Sequence, residues 1–262
     1  MTNEIDQFTD FAEELARASG ELIMGHFNSL LKGGGPEIVR KADATPVTEA
    51  DRGAEALMRG MIESRFPAHR VVGEESGSSG GSDAHYQWVL DPIDGTKPFI
   101  HGVPLFGTLI ALLEDEEPLV GVIHLPAVGE LMIGARGRPT TVNGRAVRVR
   151  DTDSMERATV LYTDAGGIAK VDEGRAMKRI FDRASLVRGW GDCYGHFMVA
   201  AGRADAMIDP ELSLWDIAAL KPCVVGAGGA FSDLEGHTEG LGHSAVSTNG
   251  LLHDQVLNIL RG

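Results

Sequence analysis

Residues 88–96 read WVLDPIDGT, and this stretch decides the interpretation of the chain. WVL is a short apolar run typical of a buried strand, and Asp91 ends it, at the position where α/β sheets usually bind ligands. Asp94 follows three residues later and Thr96 two residues after that. DPIDG is also good turn chemistry in its own right. Two carboxylates held on such a turn are suitable oxygen ligands for a hard divalent cation.

Two further acidic segments accompany this turn. GEES at 73–76 precedes it by about fifteen residues, and WDIAAL at 215–220 opens a predicted helix far downstream. Together the three segments predict a binuclear cation site. The spacing in DPIDGT differs from the DxDGT pattern of aspartyl-nucleophile phosphatases, and the alternating ligand ladder of an EF-hand is absent. The pattern therefore disfavours a covalent aspartyl-phosphate route.

Composition narrows the class of protein. The chain has 262 residues, 43% of them hydrophobic, and a formal net charge of −14 with no block of five basic residues, which disfavours nucleic-acid binding. The longest apolar stretch, 105–113, is too short to span a bilayer, and the N-terminus has no apolar signal core. Cys193 and Cys223 are not in a CxxC spacing. These features predict a cytoplasmic protein that binds no membrane.

Hydrophobic periodicity predicts the elements of the first half. Apolar positions over 4–30 recur with the period of a helix, and Thr48 with Asp51 forms a capping box before a second helix. Short buried strands are predicted at 70–73 and 88–91, separated by a glycine- and serine-rich mobile loop at 77–85. From 105 to 150 the chain predicts an antiparallel meander, with a hairpin at the Asn-Gly pair 143–144.

After residue 150 predicted strands alternate with helices, including helices at 172–184 and 215–225. This pattern indicates a partly parallel sheet. We therefore expect two halves, an N-terminal α+β half at 1–150 with most of the metal ligands and a C-terminal α/β half at 151–262, packed as one compact unit.

The ordered set GEES, DPIDGT and WDIAAL resembles the three signature motifs of the inositol monophosphatase family, with a match from about Lys41 to Gly229. The resemblance implies the layered αβαβα sandwich of inositol monophosphatase and fructose-1,6-bisphosphatase, an α/β fold with an antiparallel sheet in the first half and a mixed sheet in the second. It also implies Mg²⁺-dependent hydrolysis of phosphomonoesters by attack of metal-activated water, frequent inhibition by Li⁺, and often a homodimer.

The resemblance also assigns roles to individual residues. Two or three Mg²⁺ ions would be held by four carboxylates and one backbone carbonyl: Glu74, Asp91, Ile93 (through its carbonyl), Asp94 and Asp216. Thr96 with Asp51 resembles the family's pair that orients and deprotonates the attacking water. The backbone amides of Gly95 and Thr96 would receive the phosphate.

Flanking residues indicate the substrate. GTKPFIHGVPLFGTLI at 95–110 and WGDCYGH at 190–196 resemble segments of the histidinol-phosphate phosphatases within this family, although Pro98 replaces the usual Ser. Asp192 and Asp209 lie where the family contacts the leaving group, and their carboxylates could bind the ammonium of histidinol phosphate. Asp192 could instead cap a helix.

The reaction expected from these resemblances is conversion of L-histidinol phosphate and water to L-histidinol and phosphate, in histidine biosynthesis. One alternative is a phosphatase for inositol 1-phosphate or a broad range of small sugar phosphates. An alternative of another class is a phosphate-binding module without turnover, which the presence of a water-activating pair disfavours.

Overall fold

The computed structural model describes residues 2–33, 39–40, 46–170 and 174–262. The helices of these ranges are α1 (Thr2–Leu31), α2 (Glu49–Arg65), α3 (Thr96–Ile100), α4 (Ala165–Lys170), α5 (Arg175–Phe181), α6 (Asp192–Ala200), α7 (Leu214–Ile217), α8 (Leu220–Gly226) and α9 (His253–Arg261). The strands are β1 (Val39–Arg40), β2 (Pro46–Val47), β3 (Arg70–Gly73), β4 (Gly77–Ser79), β5 (Tyr86–Asp94), β6 (Gly107–Glu114), β7 (Glu117–Leu125), β8 (Glu130–Ala135), β9 (Thr141–Val142), β10 (Arg145–Ala146), β11 (Thr159–Tyr162), β12 (Leu186–Arg188), β13 (Ala206–Asp209), β14 (Ala230–Ser232) and β15 (Ala245–Thr248).

The strands form two large sheets and one small one. The first sheet has the order β10-β9-β8-β7-β6-β5-β3-β4 and is antiparallel except for the parallel pair β3/β5. The second has the order β12-β11-β13-β15-β14 and is mixed, because β11 runs parallel to β12 and β13 while β15 runs antiparallel to its neighbours. Strands β1 and β2 pair with each other. The predicted antiparallel meander and mixed second sheet are confirmed.

Helices separate and cover the two sheets. Helices α1 and α2 pack on one face of the first sheet, because the periodic apolar side chains of α1, among them Phe8, Phe11 and Leu15, are buried against it. Helices α6, α7 and α8 pack on the opposite face. Helices α6 and α8 also contact the second sheet, whose far side is covered by α4, α5 and α9. The predicted αβαβα sandwich is therefore confirmed, while the division at residue 150 stays a prediction.

The middle of strand β5 is buried on both faces, which explains why its run WVL at 88–90 is continuously apolar rather than alternating. Trp88 and Leu90 face α1 and α2, whereas Val89 faces the central helices. The run ends in Asp91, which is also buried. The first carboxylate of the candidate site thus directly follows the apolar run that is covered on both faces.

The structure corrects three predictions of detail. Gly77–Ser79 is strand β4, paired antiparallel with β3, so the predicted mobile loop begins with ordered strand. The predicted helix 215–225 is divided into α7 and α8, because Pro222 cannot donate a hydrogen bond to the carbonyl four residues earlier and its ring crowds that turn. The helix predicted at 172–184 is observed as the shorter α5, which ends at Phe181, and residues 172 and 173 lie outside the described part of the chain.

Among the described residues, no helix combines the length and the apolar character needed to cross a bilayer.

Candidate active site

A β-bulge at the end of β5 carries the two aspartates of DPIDGT. Asp91 pairs with Leu109 and Asp94 with Gly107, so three steps along β5 are matched by two along β6. The extra residue changes the alternation of side chains at this point, and the carboxylates of Asp91 and Asp94 approach the same space. The hydroxyl of Thr108 donates to the Pro92 carbonyl at 2.8 Å and holds the bulge.

The neighbouring elements supply further carboxylates. Glu74 directly follows β3, which runs parallel to β5, so it lies beside Asp91 at the carboxyl ends of both strands; its N–H donates to the Leu90 carbonyl at 3.2 Å. Asp216 comes from α7, which packs on β5. Asp51 comes from the first turn of α2.

Asp51 and Asp216 are held in the same way. Each is the third helical residue of a capping box, and each uses Oδ2 to accept the N–H of the N-cap residue, Thr48 at 2.7 Å and Ser213 at 2.6 Å. The predicted capping box of Thr48 and Asp51 is thereby confirmed. One oxygen of each carboxylate fixes the side chain, which leaves the other oxygen for the site.

The residues present fit a divalent cation. Oxygen atoms of Asp91, Asp94 and Asp216 lie within 4.8 Å of one another. Oδ1 of Asp51 and Oδ1 of Asp91 are buried without a hydrogen-bond partner among the described residues. Buried carboxylate oxygens are normally paired, and a set of anionic oxygens lacking donors is the arrangement that a hard cation completes.

Electrostatics support the same interpretation. Burial, and then the charges of Glu74 and Asp94, raise the pKa of Asp91 well above its usual range. Burial and the charges of Asp192 and Asp216 do the same for the pKa of Asp94. Burial also raises the pKa of Asp216 to about 6. Like charges this close disfavour ionisation unless positive charge joins them, so a divalent cation would stabilise the ionised carboxylates.

The remaining predicted residues of the turn are placed as follows. Thr96 opens α3, and its hydroxyl donates to the Ile93 carbonyl at 3.0 Å; the hydroxyl of Thr48, rather than that of Thr96, donates to Asp51 at 2.6 Å. The predicted Thr96 and Asp51 pair is therefore not hydrogen-bonded in this structure and stays a prediction. Gly95 is the N-cap of α3 with φ 84°, a left-handed conformation suited to glycine.

The second half of the chain brings Asp192 and Asp209 to the same place. A Cβ on Gly95 would lie 3.3 Å from Oδ2 of Asp192, so this carboxylate lies over the DPIDGT turn. The Thr163 hydroxyl connects the two aspartates, because it accepts the Asp192 N–H at 2.9 Å and donates to Oδ2 of Asp209 at 2.5 Å. The N-cap of α6 is Gly191, so Asp192 is the first helical residue rather than the cap.

One cavity of about 550 Å³ joins the metal-ligand candidates to these two aspartates. Asp94, Asp192, Asp209 and Asp216 all line it. The lining residues that the sequence analysis did not single out are Lys97, Thr163, Asp164, Gly167, Lys170, Pro210, Glu211 and Leu212. Burial raises the pKa of Asp209 to about 7 and that of Asp192 to about 6, although the charge of Lys97 opposes the shift at Asp192, so a positively charged occupant would favour the ionised form of both carboxyls.

Two contacts of the site connect residues remote in sequence. The Cys193 N–H at the start of α6 donates to Oδ2 of Asp94, across 99 residues of chain. Glu55, a buried residue of α2, accepts the backbone N–H groups that follow Glu74. The position of Glu55 four residues after Asp51, on the same helix face, is the one sequence signal that could have indicated it.

Comparison with known proteins agrees with this geometry. The sequence profile of the inositol monophosphatase family matches residues 4–261. A histidinol-phosphatase of Chlorobaculum parvum is 40% identical over 91% of this chain and 90% of its own length. A fructose-1,6-bisphosphatase/inositol-1-monophosphatase of Aquifex aeolicus is 32% identical over 98% of this chain and 96% of its own. The structure of an inositol monophosphatase from Zymomonas mobilis superposes with a TM-score of 0.85 at 32% identity, covering 98% of each chain. The chain therefore belongs to the inositol monophosphatase family and is a phosphomonoester hydrolase.

Proposed function

We propose that the protein is a Mg²⁺-dependent histidinol-phosphate phosphatase, which converts L-histidinol phosphate and water to L-histidinol and phosphate. The observation that carries the proposal is the acidic lining of the cavity beside the candidate cation site. Asp192 and Asp209 lie within one cavity with Asp94 and Asp216. Histidinol phosphate carries a phosphate at one end and an ammonium and an imidazole at the other, so its phosphate would lie beside the candidate cation site and its ammonium beside Asp192 and Asp209.

The leaving-group end of the cavity would bind the ammonium. Asp192 and Asp209 are held relative to each other by the hydroxyl of Thr163, so two carboxylates can accept charge-assisted hydrogen bonds from one cation. A bound ammonium would also favour ionisation of both carboxylates, which offsets the effect of burial on their pKa values.

At the other end, Glu74, Asp91, Asp94, Asp216 and the Ile93 carbonyl would hold two or three Mg²⁺ ions. When bound, such ions lower the pKa of water and stabilise the charge of phosphoryl oxygens. In this proposal Asp51 accepts the proton of the attacking water through Oδ1, which has no other hydrogen-bond partner among the described residues.

Thr96 and Gly95 complete the proposed phosphate site. The Thr96 hydroxyl donates to the Ile93 carbonyl in the present structure and would reorient to orient the water in the loaded site. The backbone N–H groups of Gly95 and Thr96 would donate to the phosphate. Positioning and charge stabilisation supply most of the rate enhancement in phosphoryl transfer.

The alternative substrate class is inositol 1-phosphate or small sugar phosphates. Hydroxyl groups can also donate hydrogen bonds to Asp192 and Asp209. The Aquifex aeolicus relative is named both a fructose-1,6-bisphosphatase and an inositol-1-monophosphatase, which are enzymes for substrates of this class. The difference lies in charge, because a polyol does not need two carboxylates beside its leaving group.

The deciding experiment is phosphate release from L-histidinol phosphate and from inositol 1-phosphate, measured side by side with and without Mg²⁺. We expect the higher kcat/KM for histidinol phosphate and background release without the metal. A preference for inositol 1-phosphate would favour the alternative, and background release from both substrates with Mg²⁺ would refute catalysis.

We further propose that the protein is a cytoplasmic homodimer, as the family resemblance implies. Light scattering coupled to size-exclusion chromatography measures the mass of the assembly directly. A mass equal to that of the 27.9 kDa chain would contradict the dimer.

A further inference from the structure

Glu55 is a completely buried carboxylate outside the predicted ligand set. It lies on α2 four residues after Asp51, so both side chains extend from one face of the helix. An ionised carboxylate in such a place is costly unless it is paired and hydrogen-bonded. Its partners therefore indicate why it is there.

The partners of Glu55 are the backbone directly after Glu74 and one arginine. Oε2 accepts the N–H of Glu75 at 2.7 Å and Oε1 accepts the N–H of Ser76 at 3.0 Å. The charge of Glu55 is balanced by Arg59, whose Nε lies 2.8 Å from Oε1 and whose side chain is 11% exposed. Both oxygens of Glu55 are thus engaged in fixing neighbouring groups.

Arg59 extends the same attachment along the chain. One guanidinium nitrogen donates to the Gly77 carbonyl and the other, at 3.0 Å, to the Ser79 hydroxyl. Glu55 and Arg59, one helical turn apart on α2, therefore hold the backbone and side chains of 75–79 from one side. Strand β4 is the edge of the first sheet, so on the sheet side this hairpin is attached through the pairing of β3 with β5.

The residue before Glu74 is adapted to the same contact. A Cβ on Gly73 would lie 2.5 Å from Cδ of Glu55, so a glycine is required for the carboxylate to approach. The N–H of Glu74 itself donates to the Leu90 carbonyl of β5. The backbone of Glu74 is consequently held before, at and after its own position, which limits the directions that its side chain can take.

We propose that Glu55 is a positioning residue, which orients Glu74 for binding Mg²⁺ through the two N–H groups that follow it. The inference rests on the proposed function, because Glu74 is a ligand only in that proposal. In this arrangement one helix provides Asp51 directly and sets Glu74 through Glu55. A single rigid element thereby fixes the distance between the water-activating carboxylate and a metal ligand.

The test is the variant Glu55→Gln, which keeps the shape of the side chain but removes its charge and one acceptor. Groups that orient metal ligands typically change metal affinity by about 10- to 100-fold, and we expect the Mg²⁺ requirement to rise by that factor. Two readouts measure it: the Mg²⁺ concentration that gives half of the metal-induced rise in unfolding temperature, and the concentration that gives half-maximal hydrolysis of p-nitrophenyl phosphate. The kcat at saturating Mg²⁺ should stay close to that of the unchanged protein.

Asp205→Asn is the matched control. Asp205 is likewise a completely buried carboxylate with a backbone donor, the Thr159 N–H at 2.7 Å, and an arginine, Arg150 at 3.2 Å, but it directly precedes β13 of the second sheet. This variant should lower the unfolding temperature and leave the Mg²⁺ requirement unchanged. An equal rise in the requirement for Asp205→Asn would mean that lost stability alone explains the effect, and would overturn the proposal.

The remaining outcomes are also decisive. An unchanged Mg²⁺ requirement in folded Glu55→Gln overturns the proposal. If that variant does not fold, Arg59→Lys takes its place, because lysine keeps the charge but loses the fork of donors; a raised requirement supports the role and an unchanged one overturns it. Failure of the proposed substrate is distinguishable, since it removes hydrolysis of histidinol phosphate from the unchanged protein but not the effect of Mg²⁺ on its unfolding temperature.

Discussion

Replacing Asp91 by asparagine should abolish hydrolysis and at the same time stabilise the metal-free protein. The side chain of Asp91 is 2% exposed, and Oδ1 has no hydrogen-bond partner among the described residues. Its pKa is raised from 3.8, first by burial and then by Glu74, Asp94 and Asp216. At pH 7 the free energy of unfolding that this charge costs has an upper limit, because a carboxyl whose pKa rises above 7 takes up a proton instead of staying charged. The limit corresponds to the difference between pH 7 and the usual pKa of 3.8, which is 3.2 units. At about 1.4 kcal/mol per unit, that limit is about 4 kcal/mol.

The asparagine side chain carries no charge, and its amide can donate to the neighbouring carboxylate of Asp216. We therefore expect Asp91→Asn to have a higher unfolding temperature in EDTA at pH 7, by up to the equivalent of about 4 kcal/mol, and little further rise when Mg²⁺ is added. An arginine that supplies one positive charge to the transition state of phosphoryl transfer is worth about 10³–10⁵ in kcat, so losing the charge of a metal ion should reduce activity by at least about 10³-fold. Differential scanning calorimetry and phosphate release measure the two effects.

The control for this prediction is again Asp205→Asn: Oδ1 of Asp205, like that of Asp91, has no hydrogen-bond partner among the described residues, but Oδ2 accepts from Arg150 and from the Thr159 N–H. There the sign should reverse, because the change weakens the bonds to Arg150 and Thr159 and lowers the unfolding temperature, while activity is kept. An Asp91→Asn protein that melts below the unchanged protein in EDTA would refute the electrostatic reasoning. Retained Mg²⁺-dependent hydrolysis in that variant would remove Asp91 from the site.

Three more predictions concern residues around the cavity and α2. Thr163→Val removes the hydroxyl that donates to buried Asp209, and an unsatisfied buried group costs about 1–3 kcal/mol. The KM for histidinol phosphate should therefore rise about 5- to 150-fold, while the KM for p-nitrophenyl phosphate hardly changes. Thr163→Ser, which keeps the hydroxyl, should have the KM of the unchanged protein. In EDTA, the pKa values of Asp209, about 7, and Asp216, about 6, exceed the usual 3.8, so these two carboxyls bind more protons in the folded state and add stability as pH falls from about 8 to 5. The lowered pKa values of the buried side chains His124, about 4, and His196, about 3, act with the opposite sign below the usual 6.5. Asp209→Asn should therefore gain less stability, or lose more, than the unchanged protein when the pH is lowered over this range, and an equal pH dependence of the two unfolding temperatures would contradict the shift at Asp209. Thr48→Val removes a helix cap and the hydroxyl bond to Asp51, which should lower stability by about 0.5–2 kcal/mol in urea unfolding and reduce kcat, whereas Thr48→Ser should match the unchanged protein.

The strongest local patterns in the sequence predicted the elements correctly. The period of apolar residues in α1, the capping box before α2 and the Asn-Gly hairpin at 143–144 are all observed. Each depends on residues within a few positions of one another, so the local sequence is sufficient to predict the element. The order of the three acidic motifs also indicated the correct family, because those motifs mark positions at the ends of β3, β5 and the start of α7.

The failures have causes that lie elsewhere in the chain. Strand β4 was expected to be a mobile loop because its glycine and serine residues have low strand propensity, yet Arg59, eighteen residues earlier, donates to its first carbonyl. The bulge at Asp91 could not be read from DPIDGT, since it requires the register of β6. Glu55 was missed for the same reason, because its partners become neighbours only after β3 has paired with β5.

The contact between Cys193 and Asp94 bears on how metal binding and substrate choice are related. The Cys193 N–H donates to Asp94, a predicted metal ligand, and the adjacent residue Asp192 extends its carboxylate over Gly95. Asp192 has φ 52°, a conformation that a residue other than glycine adopts at some cost, and its own N–H is held by Thr163. Movement of this turn toward a different leaving group would therefore also move the donor on Asp94. In the proposed site, substrate specificity and metal geometry would be coupled through one peptide segment, and changes of specificity that preserve turnover should be found at Asp209 or Glu211 more readily than at Asp192.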